Sequence, residues 1–154
     1  MDLDISIDTA HIQAAFARFR ALGENPRVIT RQIAGILADS SEQAFADEKD
    51  PETGRRWTDL SPSHKQYREK KGYWPGKILQ MQGLLAASLT TGYGPTSAWI
   101  GSPMVYAAIH QLGGTAGMAP GPAAIPVRPY MGLDGVARKE ILQIIQRAVQ
   151  GSLS

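Results

Sequence analysis

The chain has 154 residues, of which 43% are hydrophobic and 19% charged. This length and composition suit one folded domain over residues 1–154 and exclude a disordered chain. The absence of cysteine excludes disulfides and thiolate metal sites.

The net charge is only +2, but it is unevenly distributed along the chain. Residues 1–50 carry five basic and nine acidic side chains, whereas residues 51–80 carry seven basic and three acidic ones. Such polarity favours contacts with different partners on different faces. The acidic N-terminal sequence has no apolar run, and no apolar window approaches about 18 residues, so neither a secretory signal nor a membrane span is expected.

The first third of the chain predicts a short strand followed by two helices. Residues 4–8 alternate between polar and apolar side chains, which is typical of a strand with one buried face. Apolar residues at helical spacing predict a helix over residues 9–22 that ends at Gly23. Asn25 and Pro26 suit the cap and the first position of a second helix. Its apolar stripe from Ile29 to Phe45 implies about five turns.

Residues 47–77 differ from the rest of the chain, because they contain few aliphatic side chains, three prolines and three glycines. We expect a long insert loop with a short helix that begins at Ser61 and ends at Gly72. Trp57 and Leu60 can anchor the start of this insert, and Tyr73 and Trp74 its end. Since long structureless loops are usually functional or mobile, the segment is predicted to be a mobile assembly loop.

The remaining elements complete an α+β fold. Residues 87–91 and 97–101 predict the two strands of a hairpin. A short helix is expected over residues 104–112, extended chain over 123–130, and a last helix over 134–149. The predicted architecture is a small, mainly antiparallel sheet flanked by two N-terminal helices and a C-terminal helix, with the long charged insert.

The residue patterns do not indicate catalysis or metal binding. His11, His64 and His110 are widely spaced and form no H-x-x-x-H or H-E-x-x-H pattern, so a metal site is not expected. There is no G-x-S-x-G motif, and acidic residues are scarce after Glu69, which disfavours nucleophilic hydrolysis and carboxylate-pair chemistry. We therefore expect no enzymatic activity, no cofactor and no metal.

The insert leaves DNA contact open as an alternative function. Its basic side chains could neutralise phosphates and its aromatic side chains could stack on bases. These side chains are Arg55, Arg56, Lys65, Arg68, Lys70, Lys71 and Lys77, interleaved with Trp57, Tyr67, Tyr73 and Trp74. A solvated insert or a protein interface is favoured, because no recognised nucleic-acid motif is present and the net charge is small.

Five short motifs follow one another from Trp57 onward. They are Trp57-x-x-Leu60-Ser61-Pro62; Ile78-Leu79-Gln80 with Gly83-Leu84-Leu85; Ile100-Gly101-Ser102; Tyr106-Ala107-x-Ile109-His110-Gln111-x-Gly113; and Ile125-Pro126-x-Arg128-Pro129-Tyr130-x-Gly132. In this order they resemble the phage virion morphogenesis family, the tail-completion proteins of Mu-like and related contractile-tailed phages and prophages. The resemblance runs from about Ile29 to the C-terminus, and its last two motifs together are the most specific. The chain departs from the family pattern at Gln82, where a small hydroxyl residue is more common.

This resemblance implies a non-enzymatic structural protein of the virion tail or neck that acts in tail completion or head–tail joining. It implies an oligomeric ring, assembled in the host cytoplasm, whose partners are other tail or neck proteins. Passing contact with DNA is compatible with such a ring, and no membrane partner is implied.

Candidate interaction residues and candidate structural residues form two sets. The assembly set comprises Arg55, Arg56, Trp57, Tyr67, Tyr73, Trp74, Arg128 and Tyr130. The set expected to shape the backbone comprises Gly101, Tyr106, His110, Gln111, Gly113, Pro126 and Pro129. For Arg128 an internal tie to the helix of His110 and Gln111 is favoured over a partner contact, because the flanking prolines already lock the local backbone.

Overall fold

A small antiparallel sheet and six helices make up the described part of the chain, which in this computed structural model comprises residues 2–3, 10–21, 23–104, 106–114 and 125–153. In chain order the elements are β1 (Asp2–Leu3), α1 (Ala10–Ala21), α2 (Arg27–Asp47), α3 (Pro62–Lys70), α4 (Leu84–Ser88), β2 (Thr90–Tyr93), β3 (Ala98–Gly101), α5 (Ala107–Leu112) and α6 (Gly135–Leu153). The predicted α+β class is confirmed. Among the described residues, no helix is long and apolar enough to cross a membrane.

The sheet has the strand order β1-β3-β2, with both pairs antiparallel. At its centre, Ile100 pairs with Leu3 on one side and Thr91 on the other, and its side chain is buried. The turn between β2 and β3 is closed by a 2.8 Å hydrogen bond from the Gly94 amide to the Ser97 carbonyl. The predicted hairpin is therefore confirmed, whereas the strand predicted at residues 4–8 lies outside the described residues.

The first strand of the hairpin begins later than predicted. Ala87 and Ser88 belong to α4, because Gly83 adopts a φ of +73° and its carbonyl accepts a 3.0 Å hydrogen bond from the Ala87 amide. A short apolar run does not reveal by its periodicity whether it forms helix or strand. The prediction of strand for these two residues was wrong for that reason.

Side-chain hydrogen bonds satisfy backbone amides at the starts of α2 and α6. The Asn25 Oδ1 accepts a 3.1 Å hydrogen bond from the Arg27 amide at the start of α2. The Asp134 Oδ1 accepts a 2.7 Å bond from the Ala137 amide at the start of α6. Both side chains were expected at helix starts, where they satisfy amides that have no intrahelical partner.

Helix α2 is central to the packing, since it contacts β2, β3 and α6. Its apolar stripe is buried as predicted, but two buried hydroxyl groups were not anticipated. Thr30 donates a 2.6 Å hydrogen bond to the Gly94 carbonyl, and Ser40 donates a 2.8 Å bond to the Gly132 carbonyl. These bonds tie α2 to the hairpin and to the chain just before α6.

Three aromatic rings meet in the core beside α2. The Phe45 ring centroid lies 5.9 Å from that of Trp57, edge to face, and 5.1 Å from that of Tyr130. All three side chains are buried, with Tyr130 at 0% exposure. The core thus joins α2, the insert and the segment that precedes α6.

The end of α5 generates a test of backbone constraint at Gly113. Its φ is +78°, and an added Cβ would lie 2.7 Å from the Val127 Cγ2. We expect Gly113→Ala to lower the free energy of unfolding by about 1–3 kcal/mol, measured by urea denaturation. Gly35 is the matched control, because it lies on the exposed face of α2 with nothing within 4 Å. Gly35→Ala is expected to stabilise by about 0.5–1 kcal/mol, and equal effects of the two substitutions would contradict the argument.

Candidate functional site

The extended chain from Arg128 to Leu133, here called the central segment, has no neighbouring strand among the described residues. Its backbone is instead hydrogen-bonded by side chains, beginning with Gln111 of α5. The Gln111 Oε1 accepts bonds from the amides of Tyr130 at 2.9 Å and Met131 at 3.0 Å. Its Nε2 donates a 3.1 Å bond to the Met131 carbonyl. The buried side-chain amide of Gln111 therefore supplies hydrogen bonds that a neighbouring strand would otherwise make.

Two residues of the insert hold the rest of the central segment. The Trp57 Nε1 donates a 2.7 Å hydrogen bond to the Pro129 carbonyl. The Glu52 Oε1 accepts a 2.9 Å bond from the Leu133 amide, while its Oε2 pairs with Arg138 at 2.7 Å. The start of the insert is thus bonded to the core, as was expected for Trp57. The mobility of residues 47–77 stays a prediction.

Arg128 makes internal contacts, as expected. Its side chain contacts the insert, however, and not helix α5 as predicted. The side chain is 6% exposed; its Nε donates a 2.8 Å bond to the Thr58 carbonyl and its Nη2 a 3.2 Å bond to the Asp59 carbonyl. Only its backbone reaches α5, through a 2.9 Å bond from the Arg128 amide to the His110 carbonyl. Burial lowers the pKa of Arg128, and the nearby Arg68 charge lowers it further.

Arg68 is a second buried arginine that sequence reasoning had placed among the surface charges. It lies in α3 with 5% exposure, and it donates bonds of 2.8 Å and 2.6 Å to the carbonyls of Lys77 and Ile78. These bonds close the insert on itself. Burial lowers the pKa of Arg68, partly offset by the Glu48 carboxylate.

His110 lies half-buried beside both the central segment and Tyr106, whose ring centroid is 6.0 Å away in an edge-to-face geometry. Burial lowers the pKa of His110 below 6.5, and the Arg128 charge adds to the effect. Both effects favour the neutral imidazole. Within the described ranges, no group of three histidine or acidic side chains could hold a metal ion.

The insert, α5 and the central segment border an open groove of about 700 Å³. Its lining comes from residues 58–61, His64 and Arg68 of the insert, from Ile78, Leu79 and residues 81–85, from Tyr106 and His110, and from Ile125, Pro126 and Arg128. Four of the five motifs, which are far apart in the sequence, contribute to this one surface. The groove is accordingly the candidate functional site.

The predicted assembly set divides into buried and accessible residues. Trp57, Arg128 and Tyr130 are buried and hold the fold, and of the three only Arg128 also lines the groove. The accessible members are Arg55, Arg56, Tyr67 and Tyr73, with Trp74 half-buried. For them an assembly role remains a prediction.

The contacts show the structural roles of several residues that were expected to shape the backbone. Gly113 ends α5 with a positive φ, and Gly101 is a buried residue of β3. Pro129 offers its carbonyl to Trp57, and Pro126 lines the groove. The roles of Ser40, Glu52 and Arg68 were missed, because a polar residue bonded to a distant part of the chain leaves no local pattern.

The family of the chain follows from comparison with known proteins. The profile of the phage virion morphogenesis family matches residues 7–150, and the chain belongs to this family, as its motifs predicted. Such proteins have a structural or assembly role in making the phage particle.

Individual relatives cover nearly the whole chain. It is 44% identical over 153 residues to the putative capsid assembly protein G of Escherichia phage Mu, an alignment that spans 99% of this chain and 97% of that protein. It is 39% identical over 151 residues to G protein 1 of the Mu-like prophage FluMu of Haemophilus influenzae, with 96% and 94% covered. No solved structure matches the chain.

The bonding of the central segment generates a test at Gln111. Gln111→Leu keeps the size of the side chain but leaves the buried amides of Tyr130 and Met131 unpaired, each at a cost of about 1–3 kcal/mol. We expect a loss of about 3 kcal/mol in the free energy of unfolding, measured by urea denaturation. Gln146→Leu, at an exposed position of α6, is expected to change it by less than about 0.5 kcal/mol. Similar losses in both variants would show that Gln111 does not bear this role.

Proposed function

We propose that the chain is a non-enzymatic structural subunit that completes the phage tail or joins it to the head, working as an oligomeric ring at the neck or tail end of the virion. One observation carries this proposal. The motif residues bond the backbone together and shape a groove, and they do not assemble a nucleophile with a base. Among the described groove residues, the candidate bases are Asp59, His64 and His110. Asp59 is paired with Lys65, and neither imidazole has a hydrogen bond to a described hydroxyl or carboxylate group.

The insert supplies the second surface for assembly. Arg55, Arg56, Tyr67 and Tyr73 are exposed on a segment whose other side is bonded to the core. Arginine and tyrosine are enriched at protein interfaces, and a held backbone loses less entropy on docking. The name of the phage Mu relative refers to capsid assembly, which is consistent with a protein that meets the head as well as other tail or neck proteins. Assembly in the host cytoplasm fits this role.

Removal of the gene from its phage or prophage tests the proposal. We expect filled heads and complete tail tubes that remain separate, seen by negative-stain electron microscopy, with infectivity restored by the wild-type chain on a plasmid. The chain in purified particles should lie at the neck or tail end as a ring, which immunogold labelling or cryo-electron microscopy would show. Joined, infectious particles in its absence would refute the proposed function.

Contact with DNA remains the alternative function, on a smaller set of charges than the sequence suggested. Lys65, Arg68 and Lys77 make internal contacts. Arg55, Arg56, Lys70 and Lys71 have no side-chain partner among the described residues, and exposed Tyr67 and Tyr73 lie in the same insert.

If the insert contacts DNA, binding will weaken with salt, by a slope of about 0.9 in log K per phosphate contact. Alanine at Arg55, Arg56, Lys70 and Lys71 should then lower that slope in a fluorescence anisotropy titration with duplex DNA. The matched control replaces Lys139 and Arg147, which are exposed on α6, and should leave the slope nearly unchanged. No binding at low salt would exclude this alternative.

A further inference from the structure

The groove carries buried positive charge that nearby carboxylates offset only in part, since Glu48 acts on Arg68 and Asp59 on Arg128 without an ion pair to either. Arg68 and Arg128 both line it, and both guanidinium groups are bound by backbone carbonyls. Neither forms an ion pair with a described carboxylate. Asp59 is the one acidic residue of the described lining, and it pairs with Lys65. A net positive charge therefore remains in the groove.

The hydrogen-bonding capacity of these groups is also incomplete. The Arg68 Nε is buried with no partner among the described residues, and so is the His110 Nδ1. The Arg128 guanidinium donates through Nε and Nη2, which leaves Nη1 without a partner in the described structure. Buried cations are stable when a counter-charge supplies both neutralisation and acceptors. A carboxylate is the planar acceptor that matches an arginine fork.

The walls of the groove select among anions. Beside the arginines lie apolar surfaces of Ile78, Leu79, Leu84, Tyr106 and Pro126. An apolar wall favours an anion that brings apolar neighbours with it, and a bare phosphodiester brings none. The groove volume of about 700 Å³ lies within the range of about 300–1,000 Å³ that is usual for ligand sites.

We propose that the groove receives an extended segment of another virion protein, which places one carboxylate against Arg128 and Arg68 and its neighbouring apolar side chains along the wall. This inference rests on the proposed function, since it names the chemistry of the partner that the assembly role requires. The segment's own charge attracts it to the groove, and its apolar residues supply the buried area.

The proposal can be tested by placing either a negative or a positive charge at Leu84. It lines the groove and is 54% exposed, so both substitutions leave the core intact. Leu84→Glu adds a negative charge to the groove that would repel the incoming carboxylate, and Leu84→Lys adds a positive one. In a gene-deleted phage complemented from a plasmid, Leu84→Glu should lower the yield of joined, infectious particles at least about tenfold. Leu84→Lys should lower the yield much less, because it removes an apolar contact but does not repel the carboxylate.

Controls separate this inference from the stability of the chain and from the proposed function. Val136→Glu adds the same charge at a 67% exposed site on α6, outside the groove, and should be neutral. Thermal melts check that each variant folds, and exposed His64 of the groove offers the same Glu and Lys pair if Leu84→Glu is unstable. Equal yields from the Glu and Lys variants would overturn the groove proposal alone. Normal particles from the deletion itself would overturn the proposed function.

A binding measurement identifies the occupant. The probes are overlapping synthetic peptides that cover the head and tail proteins of the same phage, with the peptides of this chain and a duplex DNA as competitors. Bound peptides should contain Asp, Glu or a free C-terminus beside apolar residues, and Leu84→Glu should abolish their binding. Binding confined to peptides of this chain would make the occupant a second copy and overturn the proposal, as would displacement by DNA.

Discussion

The central segment from Arg128 to Leu133 lies in the core without a neighbouring strand among the described residues, and the rest of the structure depends on how its backbone is hydrogen-bonded. Buried amide and carbonyl groups must be paired, because each unpaired group costs about 1–3 kcal/mol. Side chains of Ser40, Trp57 and Gln111 supply much of the pairing. Since they come from α2, the insert and α5, one segment determines how three parts of the chain sit together.

The same bonding pattern creates the groove and its charge. Arg128 reaches out of the central segment to the carbonyls of Thr58 and Asp59, and Arg68 closes the other side of the insert. Both arginines stabilise the fold by capping carbonyl groups, yet they leave positive charge at a surface with apolar walls. In the docking that we propose, a carboxylate-bearing partner completes this site. Folding and docking would then depend on the same residues.

The insert combines an anchored side with an accessible one. Trp57 and Arg68 are buried against the core and against the following chain, while Arg55, Tyr67 and Tyr73 are exposed. In a virion assembly protein this combination is useful, because interaction side chains on a held frame lose less entropy when they dock. The anchoring contacts also show how a charged, aliphatic-poor segment can be bonded to a domain core.

The sequence by itself determined the features that depend on neighbouring residues. The caps at Asn25, Ser61 and Asp134 were predictable, because a capping bond spans only two or three positions. The motifs likewise identified the family, because residue types in a fixed order along the chain are visible without the fold. Only the tertiary structure decided that Ser40 and Arg68 are buried bonding groups. The partner of Ser40 lies 92 residues away, and the Arg68 bonds form only once the insert folds back on itself. A polar side chain looks the same in the sequence whether it faces water or a distant carbonyl, and the fold alone brings that carbonyl within reach.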